Sequence, residues 1–70
     1  MNLESQIWVN GEPQSFREGQ TLNKLLADLG LNPRLIVVEY NGEIVRRPAW
    51  PVTVLGDGDR VEIVTIVGGG

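Results

Sequence analysis

Seventy residues and 7.7 kDa suffice for one domain with one core and are too few for two. Six Lys and Arg against nine Asp and Glu give a net charge of −3 and a pI near 4.6, against the clustered cations of a nucleic-acid footprint. With no Cys and no His, the chain lacks disulfides, thiol nucleophiles, cysteine zinc sites, the commonest metal ligand and the usual general base, so most side-chain catalysis is excluded.

No apolar run approaches the roughly 20 residues of a membrane span, and the start, MNLESQIWVNGE, lacks the basic-then-apolar layout of a signal peptide. The expected setting is cytoplasmic, with no membrane partner. Glycines and prolines divide the chain into short elements. Ile7-Trp8-Val9, Asn10-Gly11 and an extended piece through Phe16 read as a β-hairpin, because Asn-Gly accepts the positive φ angles of a type I′ turn. Thr21 offers an N-cap oxygen, and Leu22, Leu25, Leu26 and Leu29 recur at the spacing of one helical face. Gly30 closes that helix in the left-handed conformation, Leu31 supplies the hydrophobic contact after it, and Pro33 prevents continuation.

Leu35 to Tyr40 is apolar and β-branched, Asn41-Gly42 is a second hairpin signal, and Glu43-Ile44-Val45 is its return strand. Pro48 and Pro51 flank Trp50 in a stretch unable to hold a regular ladder, with a short extended segment expected at Val52 and Val54. Gly56-Asp57-Gly58-Asp59 is a tight turn, in which the two aspartates read as turn formers rather than cation ligands. The last strand, Val61 to Val67, alternates Val61, Ile63, Thr65 and Val67 against Glu62, Val64 and Ile66. Both faces are largely apolar, which predicts an interior strand covered on both sides. The whole is a small α+β fold, a sheet of about five strands with one helix packed across it. It divides into a domain over residues 1–67 and a flexible glycine tail over 68–70.

Gly68-Gly69-Gly70 directly continues the most apolar strand. Three residues reach about 10 Å, and without Cβ atoms they pass through a slot that would exclude other residues. The reactive group on that arm is the α-carboxylate of Gly70. A carboxylate resists nucleophiles until one oxygen becomes a leaving group, which requires a partner enzyme holding ATP and yields an acyl-adenylate that a sulfur or amine nucleophile can open. Ordering such an arm costs roughly 1–2 kcal/mol per residue, so docking needs a further surface. Ile66 and Val67 are the candidates for it. Tyr40 and Trp50 are weaker ones, for which ordinary packing is the favoured reading, and the exposed pair Arg46-Arg47 supports no site.

The stretches VEYNGEIVRRPAW (Val38 to Trp50) and LGDGDRVEIVTIVGGG (Leu55 to Gly70) resemble the ThiS family of sulfur carriers in thiamin biosynthesis, and the first hairpin and the TLNKLLADLGL helix fit the same family. The resemblance implies a ubiquitin-like β-grasp fold with a mixed sheet. It implies that Gly70 is adenylated by a ThiF-like adenylyltransferase, related to ubiquitin-activating enzymes, and converted to a thiocarboxylate. Sulfur would come from a cysteine desulfurase or another donor and pass to thiazole synthase, where it becomes the ring sulfur. Gly69 and Gly70 match the family's terminal diglycine and Gly68 the extra glycine of many members. No cofactor is expected on the chain itself, since ATP and Mg belong to the partner. The alternatives are the small subunit of molybdopterin synthase, whose members more often carry an aromatic and prolines before the diglycine, a ubiquitin-like modifier, and an interaction module with an incidental tail.

Overall fold

Two Asn-Gly turns and one capped helix lay out the fold. The structure, a computed structural model, describes residues 5–66. The chain forms β1 (Gln6–Val9), β2 (Glu12–Ser15), α1 (Leu22–Asp28), β3 (Ile36–Tyr40), β4 (Glu43–Val45) and β5 (Arg60–Thr65). Asn10 and Gly11 have φ of 51° and 84°, and Asn41 and Gly42 have 52° and 90°, the paired positive angles that a two-residue hairpin loop requires. Each turn asparagine also binds the strand beside it. Asn10 Oδ1 accepts the Ile63 N–H at 2.7 Å, and Asn41 Oδ1 accepts the Arg60 N–H at 2.8 Å.

Helix α1 starts where Thr21 Oγ1 accepts the Lys24 N–H at 3.2 Å. It ends in a Schellman arrangement, with Gly30 N–H on the Ala27 carbonyl, Leu31 N–H on the Leu26 carbonyl, and Gly30 at φ 74°. Leu22, Leu25 and Leu26 are buried, whereas Leu29 caps the C-terminus and is partly open to solvent.

The sheet order is β2-β1-β5-β3-β4. Strand β5 lies parallel to β1, with Val9 beside Val61, and antiparallel to β3 over five positions from Ile36↔Thr65 to Tyr40↔Val61. The core forms between one sheet face (Ile7, Ile36, Val38, Val61), the helix leucines, and Trp50 and Leu55 from the connection that follows β4.

Several expectations are corrected. Strand β5 is central, but it is covered on one side only: Val61 is fully buried, while Val64 is 58% and Ile66 49% exposed. One helix covers one face of a sheet, and the described chain supplies no second layer. The strand spans Arg60–Thr65 instead of Val61 to Val67, and Val67 lies outside the described residues. Strand β2 stops at Ser15, before Phe16, and Leu35 closes a short 3-10 turn, Pro33–Leu35, instead of opening β3. The proline-rich stretch forms a 3-10 helix over Arg47–Val52, so Val52 is not extended; Val54 instead makes an isolated antiparallel bridge to Thr21. That helix turns Trp50 inward, and its indole N–H donates to the Val45 carbonyl at 2.9 Å.

Both edges of the sheet are short. In the first hairpin Trp8 pairs with Pro13 and Val9 with Glu12. Because the two-residue turn makes Val9 and Glu12 the hydrogen-bonded pair, Pro13 sits at the next, non-bonded pair with its nitrogen toward the open edge.

Candidate functional site: the exit end of the central strand

The tail leaves the body at the end of β5, so the site is built from what surrounds that end. The Ile66 N–H donates to the Leu35 carbonyl at 2.6 Å, extending the β3–β5 ladder one position past the strand. On the open face Val37 stands directly opposite Val64, and the alternation of β5 places Ile66 on the same side. Leu35, Val37, Val64 and Ile66 are all exposed, and Ile44 on β4 is 65% exposed. The open face therefore offers an apolar patch at the tail-bearing end. Of the proposed site residues, Ile66 falls within this patch, while Val67, Gly68, Gly69 and Gly70 lie outside the described residues. Sequence reasoning missed Val37 and Val64 as site residues; the period-two alternation carried the signal, once it is granted that a single helix covers a single face.

Trp50 is 3% exposed and belongs to the core, not to a docking surface. Tyr40 is half-buried. Its hydroxyl donates to an Asp59 carboxylate oxygen and lies 3.2 Å from the Val54 carbonyl. Burial, the hydrogen bond to Asp59 and the negative charge of that carboxylate push the phenol up to about 12. Desolvation works against the Asp59 charge, but hydrogen bonds from Tyr40, Asn41 and the Gly56 N–H prevail and hold its carboxyl below the ordinary value. Asp57 accepts the Gln6 N–H at 3.0 Å. Both aspartates sit in the turn as turn formers, with both oxygens of Asp59 and one of Asp57 engaged by the protein.

Among the described residues no group of three or more acidic, His or Cys side chains is placed to hold a metal, and no helix is long and apolar enough to cross a membrane. A shallow groove between the end of β2 and α1, lined by residues such as Phe16, Arg17, Lys24 and Leu25, draws nothing from β3, β4 or β5 and so stands apart from the end of the central strand. The chemistry this arrangement supports is presentation: a central strand held by the ladder on both sides ends beside an apolar patch.

The ThiS family model matches residues 7–70. The sulfur carrier protein ThiS of Thermus thermophilus is 38% identical over 64 residues, covering 91% of this chain and 98% of that protein. A thiazole synthase from Paramagnetospirillum magneticum is 40% identical over 62 residues, 89% of this chain but 19% of that protein. A second, from Magnetococcus marinus, is covered to 20%, so the chain spans about a fifth of the length of these two relatives. The crystal structure of a thiamine biosynthesis protein (ThiS) from Geobacter metallireducens superposes with a TM-score of 0.80 at 35% identity, over 93% of this chain and 99% of that one.

Proposed function

The chain belongs to the ThiS family, the β-grasp sulfur carriers of thiamin biosynthesis, and we propose that it carries sulfur as a thiocarboxylate on Gly70. The observation that supports this most is the reach of the family match, which runs through the last glycine and is nearly end to end with ThiS carriers. A carboxylate oxygen of Gly70 attacks the α-phosphorus of ATP in a partner adenylyltransferase, and pyrophosphate leaves. A sulfur nucleophile at the level of sulfide adds to the acyl carbon, AMP departs, and a proton is released to give the thiocarboxylate. The acceptor is thiazole synthase, a reading supported by the relatives of that name that contain a segment matching this chain. When the sulfur is transferred, an oxygen from water or from the acceptor's carbonyl takes its place on the acyl carbon as the C–S bond breaks, which restores the carboxylate, so the protein is a co-substrate and the catalysis belongs to its partners.

The body contributes position. Strand β5 is held by β1 on one side and β3 on the other, so the start of the arm is fixed while three glycines supply reach and slimness. The test is intact mass spectrometry after incubation with ATP, magnesium, a sulfur donor and the host's adenylyltransferase. The expected result is a mass gain equal to exchanging one oxygen for sulfur, absent from a chain lacking Gly70. No adenylate and no thiocarboxylate, with the enzyme active on a known carrier, overturns the proposal.

A further inference from the structure

Asn10-Gly11-Glu12 and Asn41-Gly42-Glu43 are the same tripeptide, and each Asn-Gly forms the exposed two-residue loop of a hairpin. An asparagine followed by glycine is open to attack by the next residue's backbone nitrogen, because glycine has no side chain to block the approach. Local sequence gives the two sites one intrinsic reactivity, so what surrounds each side chain decides between them. Asn41 is held at three points. Its backbone N–H donates to the Arg60 carbonyl at 2.8 Å, its Oδ1 accepts the Arg60 N–H at 2.8 Å, and its Nδ2 donates to the Asp59 carboxylate at 3.2 Å. Asn10 repeats the first two contacts, with the Val61 carbonyl at 2.8 Å and the Ile63 N–H at 2.7 Å, but among the described residues its Nδ2 has no protein partner. The anchorage of the turns differs too. Strand β1 meets β5 at two positions, Trp8↔Arg60 and Val9↔Val61, whereas β3 meets it at five, so the first turn hangs from the shorter ladder.

We propose that Asn10 is a site of spontaneous deamidation in the folded chain, and that Asn41 is shielded from the same reaction by Arg60 and Asp59. The Gly11 nitrogen bonds to the Asn10 Cγ, and the side-chain nitrogen leaves with the displaced proton as ammonia. Water then opens the five-membered imide, with no change of oxidation state. Cleavage of the new N–Cγ bond gives aspartate; cleavage of the original peptide bond gives isoaspartate, whose main chain runs through Cβ and Cγ. Closing the ring draws the side chain off β5 and onto its own turn. At Asn10 this breaks the bond to the Ile63 N–H. At Asn41 it breaks the bond to Arg60 and a second, charge-assisted one to Asp59. The two products at position 10 also differ. Aspartate keeps an oxygen for the Ile63 N–H. Isoaspartate lengthens a two-residue loop by one main-chain carbon and shortens the side chain by the same carbon, so the turn no longer matches its strands and Ile63 loses its acceptor. This holds whether or not Gly70 carries sulfur.

The test is incubation of the full chain at mildly alkaline pH, folded and in urea, followed by peptide mapping with isoaspartate-specific detection at each site. In urea the two sites should react alike, since their tripeptides are identical. In the folded chain Asn41 should react about tenfold more slowly than Asn10, the worth of one charge-assisted hydrogen bond. Hydrogen exchange then reads the consequence. Chains bearing isoaspartate at position 10 should exchange the Ile63 amide about tenfold faster than the unaltered chain, whereas Asn10→Asp should leave it protected. Equal rates in the folded chain, a faster Asn41, a gap that persists in urea, or no reaction at Asn10 of the folded chain while both sites react in urea overturns the inference. So does an Ile63 amide that keeps its protection in the isoaspartate product. The sulfur assay reads Gly70 and is untouched by any of these results.

Discussion

The oxygen of Asp59 that takes the Tyr40 hydroxyl also accepts the Gly56 N–H at 2.7 Å, so one carboxylate ties the end of β3 to the turn that launches β5. Its other oxygen accepts Asn41 Nδ2 at 3.2 Å, which brings the second hairpin turn into the same cluster. The start of the central strand is fixed by side chains as well as by the ladder.

Tyr40→Phe removes the hydroxyl and leaves the ring. The expected loss is about 1–2 kcal/mol, in the range for a hydrogen bond to a charged group at a partly open site. Urea unfolding at neutral pH measures it, and a change below about 0.3 kcal/mol would show that Asn41 and Gly56 suffice without the phenol.

The same cluster sets a pH dependence at both extremes. The Asp59 carboxyl titrates lower in the folded chain than its ordinary 3.8, so its contribution is complete above that value and is lost as pH falls through the lowered one. The Tyr40 phenol moves from 10.0 up to about 12, so its contribution is complete below pH 10 and is lost as pH rises through about 12. Phenolate absorbance of the folded chain should appear near pH 12 and shift down in urea. Asp59→Asn should flatten the acid limb of the stability profile.

The caps of α1 are separable. Thr21→Ala loses the bond to the Lys24 N–H and is expected to cost about 1 kcal/mol. At Gly30 an added Cβ meets no atom within 4 Å, so Gly30→Ala reports only the left-handed backbone at φ 74°, about 1–2 kcal/mol. The double variant should lose the sum, because the caps share no partner. Thermal unfolding of the set gives the answer.

Truncations on the two faces of the sheet should behave oppositely. Leu25→Ala and Trp50→Ala open the core and are expected to cost about 2–5 kcal/mol. Val64→Ala, on the open face, should stay within about 0.5 kcal/mol while weakening adenylation. A large stability loss at Val64 would mean that the open face is part of the fold and not a surface kept for a partner.

Most of the framework was legible in the residues themselves. Asn10-Gly11, Asn41-Gly42, Thr21 and Gly30 act through the backbone at their own positions, so local chemistry identified both hairpins and both ends of the helix. Coverage of β5 was not legible, because apolar residues on both faces of a strand fit a two-sided core and a one-sided core with a docking face equally well. Trp50 was obscured by its prolines: they rule out a ladder, but they do not reveal that a 3-10 turn swings the indole under β4.

The Trp8–Pro13 pair governs how these molecules behave in company. A sheet with an uncovered face and two edges is prone to stacking strand on strand into filaments. At one edge Pro13 has no N–H to offer a newcomer. At the other, β4 is three residues long and runs directly into the 3-10 helix that begins at Arg47. Both features disfavour strand addition, so growth of the sheet by strand pairing is held back at both of its edges.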